Sequence, residues 1–127
     1  GRHFLLEFLP YVDILFATED ELLEARLDTK EIFSHSVLVL FLKKGKRGAK
    51  ALGKDFEFSQ DAIPTEKIVD NTGAGDYFNA GVLAGLMLGK TLDKALHLGA
   101  LFASLSLSDY GRRGILFINR QNLLKCE

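Results

Sequence analysis

The apolar positions of the chain change period several times, and each change marks an element. Leu5 to Leu9 have helical apolar character until Pro10 interrupts them, and Val12-Asp13-Ile14-Leu15-Phe16 then reads as a short buried strand. Thr18 with Glu21 three residues on has the spacing of a capping box, and Leu22, Leu23 and Ala25 continue the apolar side of the helix it starts. Residues 29–34 read as a short helix or a loop. The run Val37-Leu38-Val39-Leu40-Phe41-Leu42 is β-branched and apolar throughout, as expected of a central strand buried on both faces in a parallel sheet. A basic turn, Lys43 to Gly48, ends it. Ala49 to Leu52 and Phe56 to Phe58, with Gly53-Lys54-Asp55 between them, then read as a β-hairpin. Ile63 to Val69 is an extended approach to a turn at Asp70.

Beyond that turn the pattern is helical. Phe78, Val82, Leu83 and Leu86 form one apolar face, while Ala80, Gly81, Ala84 and Gly85 are small positions. Interior glycine costs roughly 1 kcal/mol relative to alanine, so two of them predict a neighbour at very close range. Gly89 is a natural stop, Thr91 caps the next helix with Asp93 in its first turn, and Leu92, Ala95, Leu98, Phe102 and Leu105 are its inward positions. Residues 108–111 read as a loop, and 115–124 as a final strand or helix. There are no internal repeats and no low-complexity stretch.

Strands alternating with helices define an α/β pattern, and 127 residues with 47% hydrophobic content suffice for one compact core but not for two ordinary domains. The formal charge of -1 gives no electrostatic footprint for nucleic acid or an anionic membrane. The apolar runs 82–88 and 98–107 fall well short of the ~20 residues that span a bilayer. A single cysteine, Cys126, excludes an internal disulfide framework and fits a reducing cytoplasm. His3, His35 and His97 have no cysteine or carboxylate at ligand spacing and read as structural or surface histidines. The start lacks signal-peptide character and opens on what reads as mid-domain sequence, the mark of a fragment.

Candidate chemistry concentrates in Asp70-Asn71-Thr72-Gly73-Ala74-Gly75-Asp76-Tyr77-Phe78. Two glycines at a helix start let free N–H groups converge on a phosphate, with the positive end of the helix dipole behind them and Asp76 beside the anion. A carboxylate there suits removal of a proton from an attacking hydroxyl. Ordinary turn chemistry and a dipole-favoured first-turn acid explain the same residues, and spacing alone leaves the two readings level. Residues 84–91 mimic a phosphate loop, but Ala84 stands where glycine is required and the segment ends a helix. Lys44, Lys46, Arg47, Lys50 and Lys54 read as the solvated face of the hairpin.

The Asp70 to Phe78 stretch, with Ala80-Gly81 and residues 85–90 after it, resembles the C-terminal signature of the ribokinase (PfkB) family of carbohydrate and nucleoside kinases. The family usually reads Asp-Thr-Thr-Gly-Ala-Gly-Asp-x-Phe, so Asn71 and Tyr77 depart from it outside the Gly-x-Gly-Asp core. The resemblance runs from about Asp13 to Gly111 and concerns only the C-terminal part of a typical member. It implies a three-layer ribokinase-like (Rossmann-like) α/β sandwich, here the C-terminal portion with a mainly parallel sheet, a β-hairpin and packed helices. Residues 1–127 would be one domain, the nucleotide-binding part, without the substrate and lid part.

For the site, the resemblance implies Asp76 as general base and the amides of Gly73, Ala74, Gly75 and Asp76 as an anion hole flanked by Thr72. Lys43-x-Gly45 matches an element that enters the nucleotide site, Ala100 and Ala103 would lie beside the adenine, and Asp70 would help hold a monovalent cation, K⁺. Thr18-Glu19-Asp20-Glu21 aligns with an Asn-x-x-Glu motif whose Glu influences magnesium and phosphate. Glu21 therefore has two open roles, capping partner and indirect Mg²⁺ ligand. The loop 108–111 usually completes the cation and nucleotide site, and Arg112 and Arg113 either meet phosphate or are ordinary loop arginines. The implied function is ATP-dependent phosphorylation of a sugar or nucleoside hydroxyl, in a cytoplasmic kinase that takes ATP and Mg²⁺, with a homodimer as its assembly and no nucleic-acid or membrane partner. The isolated chain is expected to be inactive. The alternatives are a non-catalytic nucleotide-binding or assembly module of the same fold and a purely structural fragment.

Overall fold

The computed structural model describes residues 2–64 and 74–107. Helix α1 (Arg2–Phe8) runs into a tight turn at Leu9–Tyr11, where Pro10 ends the regular helix. Strand β1 (Ile14–Thr18), helices α2 (Glu19–Ala25) and α3 (Thr29–Phe33), and strand β2 (Val39–Lys43) follow. Strands β3 (Ala49–Leu52) and β4 (Glu57–Gln60) form the expected hairpin, and α4 (Ala74–Met87) and α5 (Leu92–Leu107) close the described region. The sheet order is β1-β2-β3-β4. It is parallel where it begins, Phe16 pairing with Phe41 and Thr18 with Lys43, and antiparallel across β2–β3 and β3–β4.

Alternation along the strands divides the core into two layers. Ala17, Leu40 and Leu52 turn one way, onto Leu9, Ala25, Leu27 and Ile32 of the α1–α3 side. Phe16, Phe41 and Ala51 turn the other way, onto Phe78 and Val82 of α4 and Ala95 and Leu96 of α5. The rings of Phe16 and Phe41 stack with centroids 5.1 Å apart, and Leu40 and Phe41 have no exposure at all, as a strand between two helical layers demands. Gly81 and Gly85 do receive a close neighbour. A β-carbon on Gly81 would lie 2.6 Å from the Leu98 carbonyl oxygen, and one on Gly85 2.9 Å from the Ala95 Cα.

Several apolar positions depart from expectation, among them Ile14, which is exposed at the start of β1. Leu23 is 75% exposed because the seven-residue α2 buries only the Leu22 and Ala25 side, and Leu23 stands about 100° round from Leu22. Leu38 is 65% exposed, since β2 starts one residue later and Leu38 is fixed by its amide, which donates to the Asp13 carbonyl at 2.8 Å. Leu83 lies off the Phe78–Val82–Gly85 stripe and is exposed. Strand β1 begins two residues later than the apolar run suggests and includes Thr18, which caps α2 as well.

Candidate functional site

The end of β2, the turn after it and the start of α4 converge on one cavity of about 180 Å³. Lys43 is the last residue of β2, and a short turn through Gly45–Arg47 reverses the chain so that the Lys44 amide bonds the Gly48 carbonyl at 2.8 Å. Gly48 has φ +89°, and a β-carbon there would run into the Gln60 carbonyl, so this corner admits glycine alone. The tight reversal brings Gly48 and Ala49 beside Ala62 and Ile63, which together form one wall. Ala74, Gly75 and Phe78 of α4 form a second wall, and Ala100, Ala103 and Ser104, at helical spacing on α5, form the floor. The walls are mainly apolar, while one end holds the Lys43 ammonium and the first turn of α4. That combination accepts a flat apolar ring with an anionic tail.

Lys43 reaches across to α4, and a β-carbon built on Gly75 would lie 3.4 Å from its Nζ. On the adjoining strand Thr18, the cross-strand partner of Lys43, forms the predicted capping box. The Thr18 amide donates to Glu21 Oε1 at 2.9 Å and the Glu21 amide to Thr18 Oγ1 at 3.1 Å. The Thr18 amide holds the Glu21 carboxyl below its ordinary value of 4.5, partial desolvation opposes this, and the Thr18 side chain and the Lys43 charge add to the lowering. Arg47 pairs with Glu19, tying the turn after β2 to the first turn of α2.

Of the residues singled out in the sequence, Lys43, Gly45, Ala74, Gly75, Ala100 and Ala103 line this one cavity. Asp76 is exposed in the first turn of α4, next to the wall residue Gly75. Glu21 is exposed beside the end of β1, its capping role realised. Asp70, Thr72 and Gly73 lie outside the described residues, as do 108–111, Arg112, Arg113, the segment 115–124 and Cys126. Sequence reasoning passed over Ala62 and Ser104. Ser104 follows Ala100 by four residues and was accessible to the helical period, whereas Ala62 is placed only by the Gly48 reversal. A larger, more open groove of about 640 Å³ runs between α3 and the β3–β4 turn and contains none of these motif residues. Among the described residues no three His, Cys, Asp or Glu side chains cluster to hold a metal ion, and no helix is long and apolar enough to cross a membrane. His97 instead meets Gln60 Oε1 through Nδ1 at 3.2 Å, joining α5 to β4.

Element order, the two helical layers and the sheet are those of a ribokinase-like α/β protein. A family model described as pfkB family carbohydrate kinase matches residues 2–116, and the chain belongs to that family. It is 31% identical over 110 residues to a nucleoside kinase of Methanocaldococcus jannaschii, an alignment covering 82% of this chain and 35% of the relative. It is 39% identical over 75 residues to a ribokinase of Bacillus subtilis, covering 59% of this chain and 25% of the relative. The solved Methanocaldococcus jannaschii nucleoside kinase superposes with TM-score 0.81 at 26% identity, over 98% of this chain and 44% of that one. An Arabidopsis thaliana ribokinase complexed with ribose and ATP superposes with TM-score 0.77 at 26% identity, over 94% and 42%. The chain thus spans less than half the length of these relatives.

Proposed function

We propose that this chain is the nucleotide-binding part of an ATP-dependent kinase that phosphorylates a hydroxyl of a small sugar or nucleoside. The observation that carries the reading is the convergence of Lys43, Gly45, Ala74 and Gly75 with Ala100 and Ala103 on one cavity, apolar along its length and positive at one end. The apolar length takes the nucleobase, and the Lys43 end with the amides of 73–76 takes the phosphates. Asp76, exposed one residue past the wall, accepts the proton of the acceptor hydroxyl as it attacks. The solved relative with ribose and ATP bound supports both ligand classes.

Magnesium fits this donor set as an ion carried in by the phosphates. It keeps several waters and needs only one or two carboxylates, and Glu21 has its second oxygen, Oε2, outside the capping bond. When bound it would neutralise charge developing on the phosphoryl group. Asp70 is the candidate for holding K⁺.

Replacing Asp76 by Asn in a full-length kinase carrying this segment tests the central role. Loss of general-base help lowers kcat by about 10²- to 10⁴-fold with nucleotide affinity retained. Near-normal turnover removes Asp76 as the base.

A second reading, a non-catalytic nucleotide-binding module, draws on the chain covering 35% of its kinase relative. Calorimetric titration with ATP and magnesium followed by product analysis separates the two, since a module binds and never turns over even when joined to an acceptor-binding part.

A further inference from the structure

We propose that His97 and Gln60 are positioning residues for the cavity wall that meets the nucleobase, His97 fixing the Gln60 amide and Gln60 fixing the peptide that carries Ala62. The inference rests on the nucleotide reading above and assigns the two residues an action on the base, not on the phosphates. Ala62 and Ile63 line the cavity just beyond the last pairing of β4, that of Gln60 with Ala49. Among the described residues neither makes a backbone hydrogen bond that would hold it there. Two other contacts do so. The backbone from Gln60 to Ala62 packs on Gly48, where an added β-carbon would lie 3.0 Å from the Ala62 nitrogen. The Gln60 side chain reaches both ways, its Nε2 donating to the Asp61 carbonyl at 2.9 Å and its Oε1 facing His97 Nδ1 at 3.2 Å.

The chemistry of these groups fixes the part each plays. The Asp61 carbonyl only accepts, so the Gln60 atom that meets it is the amide nitrogen, and the atom left for His97 is an oxygen that also only accepts. The ring must then carry a proton on Nδ1, a condition that the neutral Nδ1–H tautomer and the imidazolium both meet. A peptide unit is planar, so a bond to the Asp61 carbonyl fixes the plane from which Ala62 departs. His97 stands on α5, the helix whose Ala100 and Ala103 form the floor. Floor and wall are thereby tied through one side-chain relay, and the gap between them is the width offered to a flat ring.

The test titrates adenosine, ATP and tripolyphosphate into the chain and its variants by calorimetry. His97→Leu removes the donor. His97→Asn returns an N–H at the same number of bonds from Cα as Nδ1, and Gln60→Met keeps the side-chain length without either polar atom. His97→Leu and Gln60→Met should each weaken adenosine and ATP by about 5-fold and leave tripolyphosphate within about 2-fold of wild type. His97→Asn should stay within about 2-fold for all three, and the double variant His97→Leu with Gln60→Met should lose no more than the larger single loss, as two links of one relay require. Nitrogen-15 NMR should show the neutral His97 ring protonated on Nδ1, its signals assigned by their disappearance in His97→Asn.

Additive losses overturn the proposal, as do equal losses for all three probes, which mark a general effect on folding. A His97→Asn variant as weak as His97→Leu, or a neutral ring protonated on Nε2, overturns it too. Wild-type affinity for adenosine in every variant removes the positioning role and leaves the nucleotide reading standing. A wild-type chain that binds tripolyphosphate but neither ATP nor adenosine, or none of the three, removes both.

Discussion

Glu21 has two tasks that a single substitution separates. As the N3 member of a capping box it satisfies the Thr18 amide, and as a carboxylate it carries charge. Its folded carboxyl is held below the ordinary 4.5, chiefly by the Thr18 amide. The ionised form is therefore favoured by folding. The stability this supplies is complete above the unfolded value and is lost as pH falls through the lowered folded value. Chemical denaturation followed from pH 7 downwards should show a wild-type decline beginning near 4.5, and a shallower decline in Glu21→Gln across the same window. Identical profiles would mean that the capping bond does not depend on charge. The Thr18-x-x-Glu21 spacing was legible because a cap is local, needing four residues and no partner. The Lys43 contact with α4 was not, because it depends on where a helix from much later in the chain comes to lie.

At the level of elements, α4 and α5 show what the small residues are for. Gly81 faces the Leu98 carbonyl and Gly99, and a β-carbon on Gly99 would come within 2.6 Å of Val82 Cγ2. Both sides of the contact have been pared down, so the two helices approach through backbone. Alanine at Gly81 would gain about 1 kcal/mol of helix propensity but must push against the backbone of α5, which does not yield as a flexible side chain does. We expect Gly81→Ala to destabilise by about 1–3 kcal/mol net, read as a lower denaturation midpoint with unchanged slope. A stabilised variant would show that the helices can part at no cost. The glycine pair announced this contact, as did the strand and hairpin periods for the sheet. Leu23, Leu38 and Leu83 were misread for one shared reason. Apolar identity was taken as burial, whereas a short helix, a strand end and the outer side of a long helix each leave a leucine facing solvent, a common condition of protein surfaces.

For the molecule as a whole, the proposed function raises the question of what the chain does alone. The cavity between the β2 turn, α4 and α5 is built from residues of this chain, and its positive end consists of Lys43 and the start of α4 among the described residues. On the proposed reading, binding of ATP does not wait on the acceptor-binding part. Catalysis does. A hydroxyl must be held in line with the phosphoryl group beside Asp76, and placement of that kind accounts for a large share of the barrier reduction in phosphoryl transfer. The exposed Asp76 has no second wall to define such a position among the described residues. At a nucleotide concentration about 100 times Kd, binding should stabilise the chain by ~2.7 kcal/mol, a rise of roughly 10 °C in Tm for a domain of this size. Ribose or inosine alone should leave Tm unchanged. A mixture of ATP, magnesium and either acceptor should yield no phosphorylated product beyond the uncatalysed background. A flat Tm against ATP would remove the nucleotide reading of this cavity, and phosphorylated ribose or inosine from the chain alone would show that acceptor placement is already encoded within it.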